Sequence, residues 1–173
     1  MSEAPELDVE RVIGALDRHG VAFLLIGGVA ARFHGASRPT QDIDLVPRSD
    51  EENLDRLATA LRELRAFLRI GGLSDDEARA LPVVIDGRAL RDMEVSTWRT
   101  DAGDLDVLRH LRGEDGSRLG YDDLEPRGVT IEVLDIDVRL AGLSDIVASK
   151  RFADRDKDRE ALPELERLER HEG

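Results

Sequence analysis

Two aspartates stand two residues apart inside an otherwise apolar run, Gln41-Asp42-Ile43-Asp44-Leu45-Val46-Pro47, and this feature most narrows the folds open to the chain. Alternating acidic and apolar residues suit a β-strand. Successive side chains point to opposite faces, so Asp42 and Asp44 share one face while Ile43 and Leu45 turn into a core. Two carboxylates held side by side repel unless a cation lies between them, and hard oxygen ligands of that kind suit magnesium or manganese. Taken alone, an Asp-x-Asp pair is also what a solvated acidic loop shows. The residues before it argue against the loop. Val21 to Ile26 is a short apolar run that reads as a buried strand; Gly27-Gly28 then turns into a helix from about Val29 to His34, and Arg38-Pro39-Thr40 leads into the acidic strand. Glycines at a helix start let a phosphate approach free backbone N–H groups, and the helix dipole there favours an anion.

Other elements follow from periodicity and capping. Leu7, Val12, Ile13 and Leu16 have helical spacing, which predicts an amphipathic helix from Val9 to His19 ended by Gly20. Ser49-Asp50-Glu51-Glu52 has capping-box spacing ahead of Leu54, Leu57, Leu61 and Leu64, and Ser74 to Glu77 opens a short helix limited by Pro82. Val83 to Ile85, Asp92 to Thr97 and Leu105 to Leu108 are strand candidates; Val129 to Leu134 and Ile136 to Leu140 read as a late strand or hairpin. Leu143 to Phe152 and Arg159 to Arg170 read as helices, with Pro163 expected in the first turn of the last one.

With 173 residues, 40% of them apolar, the chain suits one domain over 1–173, residues 1–6 reading as a frayed tail. Aromatics are only 3%, so the core must come from Leu, Val, Ile and Ala. The absence of cysteine excludes disulfides, thiolate metal sites and cysteine nucleophiles. No basic n-region with an apolar h-region opens the chain, so no secretory signal is expected, and Val21 to Ala31, the longest nearly apolar stretch, is too short to span a bilayer; the expectation is a cytoplasmic protein with no membrane partner. The net charge of −13 counts against broad binding of nucleic-acid phosphates and leaves room only for a local basic face.

Gly27-Gly28 followed by Asp42-Ile43-Asp44-Leu45 resembles the signature of the nucleotidyltransferase superfamily, the DNA polymerase beta-like fold. Within it, the block Thr40-Gln41-Asp42-Ile43-Asp44 is similar to the AbiEii-type toxins, including the mycobacterial MenT toxins. So is Leu143 to Lys150, with Arg155-Asp156-Lys157-Asp158 following. The resemblance covers roughly residues 20–165 and implies an α/β (α+β) fold, a mixed sheet flanked by helices with helices at the C-terminus. It also implies metal-dependent transfer of a nucleoside monophosphate from an NTP. Many superfamily members have Gly-Ser where this chain has Gly27-Gly28, which removes one hydroxyl contact to a phosphate.

The same resemblance suggests roles. Asp42 and Asp44 match the metal-binding pair, joined by a third carboxylate from a later strand. Asp106 is the choice, Asp104 the rival on the same face by alternation, and Glu94 a further candidate. Lys150 matches a lysine that contacts the nucleotide phosphates, and Asp158 an aspartate that completes the site. Gly27, Gly28, Arg38 and Thr40 are the remaining candidates for holding the nucleotide. Trp98 and Tyr121 are possible stacking partners for a base or core filler, and His34 reads as a helix-end residue. The acceptor expected from the resemblance is the 3′ end of tRNA, with an antitoxin protein as partner. It would need a basic face from Arg88, Arg91, Arg99, Arg109, Arg112 and Arg151. The alternatives are an aminoglycoside adenylyltransferase and a non-catalytic binding module of the same fold.

Overall fold

In the computed structural model, described over residues 4–173, Ala4 to Glu6 carry no regular structure, and the first half of the expected tail lies outside the described residues. Leu7 is already docked: Asp8 N–H donates to the Ala102 carbonyl at 2.9 Å, and a Cβ on Gly103 would meet Leu7 Cα at 2.9 Å. Helix α1 (Val9–Arg18) is capped by Asp8, which accepts from Arg11 N–H, and buries Val12, Ile13, Ala15 and Leu16. Strand β1 (Phe23–Ile26) runs into α2 (Gly27–Phe33), which starts at Gly27 rather than at Val29. Strand β2 (Asp42–Pro47) follows, then α3 (Glu51–Glu63), whose cap is Asp50 accepting from Asn53 N–H rather than Ser49.

The middle of the chain departs most from the sequence pattern. Strand β3 (Phe67–Leu68) is followed by α4 (Asp75–Ala80), with the Ser74–Glu77 capping box formed, and by α5 (Gly87–Asp92). Val83 to Ile85 is not a strand: it has no ladder partner, and Val84 is left 67% exposed. The expected strand at Asp92 starts later, as β4 (Val95–Thr100), because α5 uses the chain up to Asp92. Strand β5 (Gly103–Leu108) is followed by a small hairpin of β6 (Leu111–Arg112) and β7 (Arg118–Leu119), then α6 (Tyr121–Leu124) and a 3-10 turn at Glu125–Arg127.

The hairpin of β8 (Val129–Val133) and β9 (Ile136–Leu140) turns through Leu134 and Asp135, both at positive φ. Helix α7 (Leu143–Ala153) ends at Asp154 in the left-handed conformation, which aspartate tolerates, and α8 (Asp156–Glu172) starts at once. The last helix thus begins three residues earlier than its periodicity suggested. Pro163 falls inside it rather than in its first turn.

Seven strands form one mixed sheet in the order β3-β4-β5-β2-β1-β9-β8. Strand β2 is antiparallel to β1 and parallel to β5, and β1 is parallel to β9. The core is aliphatic, as the composition required: Leu24, Leu25, Ile43, Leu45, Leu57, Leu61 and Leu105 are fully buried. Trp98 is the largest buried side chain, its indole N–H donating to Ser96 Oγ at 2.8 Å, so it serves as core and not as a stacking platform. No helix among the described residues is long and apolar enough to cross a membrane.

Candidate functional site

The parallel pairing of β2 with β5 builds the site. It sets Asp42 beside Asp104 and Asp44 beside Asp106, and strand alternation sends all four to one face. Ile43 and Leu45 go to the opposite face, fully buried. One oxygen each from Asp42, Asp44 and Asp106 lies within 4.8 Å of the others.

Asp104 does not join them. Arg99, its neighbour on β4, grips it in a fork, Nε to Oδ1 at 2.8 Å and Nη2 to Oδ2 at 2.9 Å, and Arg69 adds a contact at 3.3 Å. Glu94 is exposed and paired with Arg118 at 3.0 Å, away from the acidic pair. Asp106 stands in the opposite situation from Asp104. Its Oδ1 is buried with no hydrogen-bond partner, an arrangement that costs free energy unless a cation or a proton occupies the gap.

The electrostatics agree. Burial pushes the Asp44 carboxyl up to about 7, and the charges of Asp42 and Asp106 push the same way, against a smaller opposing pull from Lys157. Burial likewise raises Asp106, while a hydrogen bond involving Thr97 works against the rise. A cluster of carboxylates that resists full ionisation is short of positive charge. The all-oxygen donor set therefore fits a hard divalent ion.

The two glycines have a steric reason the sequence pattern did not contain. Gly27 sits at φ +65°, and a Cβ there would overlap Asp44 Oδ2. A Cβ on Gly28 would come within 2.7 Å of Thr40 Oγ1. Thr40 in turn donates to the Asp42 carbonyl at 3.1 Å, tying the loop before β2 to the first carboxylate. Arg38 lines the same cleft and pairs with Glu160 at 2.9 Å.

Opposite the acids, the tight corner between α7 and α8 brings Lys150 and Asp158 together, with Lys150 Nζ 3.3 Å from Asp158 Oδ1. Asp158 is fully buried, and Arg155 Nε donates to its Oδ2 at 2.6 Å. Arg155 and Lys157 line the cleft as well, and sequence reasoning did not single them out. The signal was present in the Arg155-Asp156-Lys157-Asp158 run, but three acidic and basic neighbours at a helix start give no hint of which face a cleft.

The cleft has a volume of about 540 Å³, ample for a nucleotide, and its wall near Asp106 is Val95, Leu108 and Leu111. Neither Trp98 nor Tyr121 is part of its lining. His34 is also elsewhere, its Nε2 meeting the Ala141 carbonyl at 2.9 Å.

The expected basic face is not assembled as written. Arg99 is buried between Asp75 and Asp104, and Arg151 is paired with Glu114 and Glu166. Arg109 and Arg112 spend a nitrogen each on the carbonyls of Arg91 and Gly116. The cations that do converge on the cleft are Arg38, Lys150, Arg155 and Lys157.

Residues 14–161 match the family model described as nucleotidyl transferase AbiEii toxin, type IV TA system. No curated protein matches the chain. Among solved structures, the lincosamide antibiotic adenylyltransferase LnuA in its lincomycin-bound form is similar at TM-score 0.60 and 11% identity, over 94% of this chain and 99% of that one. The antibiotic-resistance factor ANT(2″)-Ia, in complex with adenylyl-2″-tobramycin, is similar at TM-score 0.54 and 16% identity, over 93% of this chain and 90% of that one. At such identities these likenesses bear on the fold, which they show to be that of nucleotidyltransferases.

Proposed function

The chain belongs to the AbiEii family of nucleotidyltransferase toxins, and on that footing we propose that it transfers a nucleoside monophosphate from an NTP to the 3′-terminal hydroxyl of tRNA, as the toxin of a pair whose cognate antitoxin protein restrains it. It does so as a single cytoplasmic domain. The supporting observation is a juxtaposition. Three carboxylates, one with an orphaned oxygen, share a cleft with Arg38, Lys150, Arg155 and Lys157.

Asp42, Asp44 and Asp106 are the residues to hold magnesium or manganese, which when bound neutralises phosphate charge and makes an acceptor hydroxyl more acidic. Lys150, Arg38 and the Gly28 amide hold the outer phosphates, the last because nothing but hydrogen stands on its Cα. Thr40 keeps Asp42 in place through its carbonyl. A bond forms between the acceptor oxygen and the α-phosphorus, the bond to the β-phosphate breaks, pyrophosphate leaves, and the acceptor's proton passes to water. No protein nucleophile is needed, which suits a chain without cysteine.

The acceptor rests on different support. The family match supports a toxin, and with it the tRNA acceptor that the resemblance implies; the wall beside Asp106 is apolar, Val95, Leu108 and Leu111, which gives a polycationic drug little to pair with there. The net charge of −13 opposes RNA, so docking should be weak and fall steeply with salt. The test is incubation with labelled NTPs, magnesium or manganese, and total tRNA beside a panel of aminoglycosides and lincosamides. Label entering tRNA supports the reading. Label entering a drug alone makes the protein a small-molecule adenylyltransferase. An intact protein that labels nothing and binds no NTP would return it to a binding module of this fold.

A further inference from the structure

The corner between α7 and α8 holds a buried acid whose surroundings do not suit chemistry. Asp158 is 0% exposed and has N–H donors on both oxygens. Its Oδ1 takes Lys150 Nζ at 3.3 Å and Arg155 Nη2 at 3.3 Å; its Oδ2 takes Arg155 Nε at 2.6 Å and the Arg155 backbone N–H at 3.3 Å. Four donors occupy the lone pairs of one carboxylate, which leaves no free position for a metal ion or an acceptor's proton. The acid is also shut off from water.

The two cations are differently placed. Lys150 has three N–H donors and uses one on Asp158, and the Nη1 side of Arg155 is not committed to it. Both line the cleft that holds the three-carboxylate cluster. Arg155 also senses those acids: its guanidinium is stabilised first by Asp158, against some desolvation, and then by Asp44 and Asp42.

We propose that Asp158 is a positioning residue that holds Lys150 and Arg155 together as a cationic clamp, and that Arg155 is a further contact to the triphosphate of the bound NTP, beside Lys150. The inference rests on the transferase reading above and divides the labour within it. The family resemblance implied that Asp158 completes the catalytic site; here it acts only through the two cations it orients. Burial by itself would push its carboxyl up, yet Arg155 and Lys150 hold it below the ordinary range, so it stays ionised beneath them. Its place at the third position of α8, reaching back to the Arg155 N–H as a capping box does, makes the clamp part of the helix start.

The experiment compares wild type, Asp158→Asn, Arg155→Ala, the double variant of these two, and Arg155→Lys for affinity toward an α,β-methylene NTP by calorimetry, for manganese affinity without nucleotide, and for kcat, KM and their pH profile. Asp158→Asn and Arg155→Ala should each weaken NTP binding and raise KM by about tenfold or more, the size expected for a charged contact. The double variant should be little worse than either single one, because both remove the same clamp. Manganese affinity and the pH profile of kcat should not move. Arg155→Lys should restore affinity only in part, since lysine keeps the charge and loses the fork. The clamp is overturned if Asp158→Asn loses manganese binding, or if it lowers kcat at unchanged NTP affinity. Unchanged affinity in a folded Arg155→Ala, whose side chain is largely exposed, overturns it independently. A folded wild type that binds no NTP would instead bring down the transferase reading and the clamp with it.

Discussion

Asp44→Asn should make the metal-free protein more stable at neutral pH, and the gain should depend on pH in a defined way. Asp44 titrates at about 7 in the folded protein against an ordinary 3.8, chiefly because it is buried and then because Asp42 and Asp106 are charged beside it. A raised folded value means that the protonated form favours the fold. That stability is fully present below about 3.8 and is lost as pH rises through about 7. At pH 8 the ionised group costs up to about 4 kcal/mol, at roughly 1.4 kcal/mol for each unit of pKa. Asparagine keeps the shape and cannot ionise. The variant should therefore match wild type near pH 4, pull ahead between about 4 and 7, and hold a constant lead above that. In a chain of this size, about 2–4 °C of melting temperature per kcal/mol puts the lead on the order of 10 °C. Thermal melts of both proteins in EDTA, from pH 4 to 8.5, read this directly, and taking the difference cancels the carboxylates outside the cluster. Adding manganese at pH 8 should raise the wild-type melting temperature far more than that of the variant. A lead that is absent at pH 8, or that does not widen with pH, would show that the three carboxylates are not electrostatically frustrated.

The neighbouring acids should separate cleanly. Asp106→Asn should lower transfer by about a hundredfold or more without lowering the melting temperature in EDTA, whereas Asp104→Asn should spare the chemistry and cost about 1.5–3 kcal/mol by removing one of the two carboxylates that pair with the buried Arg99, as activity and urea unfolding would report. Gly27→Ala combines a positive φ with a Cβ placed on the Asp44 carboxylate, so it should cost about 1–3 kcal/mol and abolish manganese binding measured by calorimetry. Expression in a bacterial host should slow growth and Asp42→Ala should relieve it; equal growth with wild type and variant at matched protein levels would remove the toxin reading.

What the sequence alone determined is local. The alternation through Asp42, Ile43, Asp44 and Leu45 sets the face of each side chain, because a strand's period is two whatever lies beside it. The capping box from Ser74 to Glu77 and the hairpin of Val129 to Leu140 were legible for the same reason, as their interactions close within a few residues. Alternation could not choose between Asp104 and Asp106, which it sends to the same face. That distinction came from β4, where Arg99 lies opposite Asp104 and Thr97 opposite Asp106, so one acid is neutralised while the other meets no cation and keeps one oxygen unpartnered. Val83 to Ile85 shows the converse: its residues favour a strand, but a strand needs a partner, and none lies alongside. The corner at Asp154 likewise decided that Asp158, at the cleft wall, would be buried under Lys150 and Arg155. Which face a residue takes is written within a few positions of it; which charge it meets there depends on long-range pairing, and only the tertiary structure supplies that.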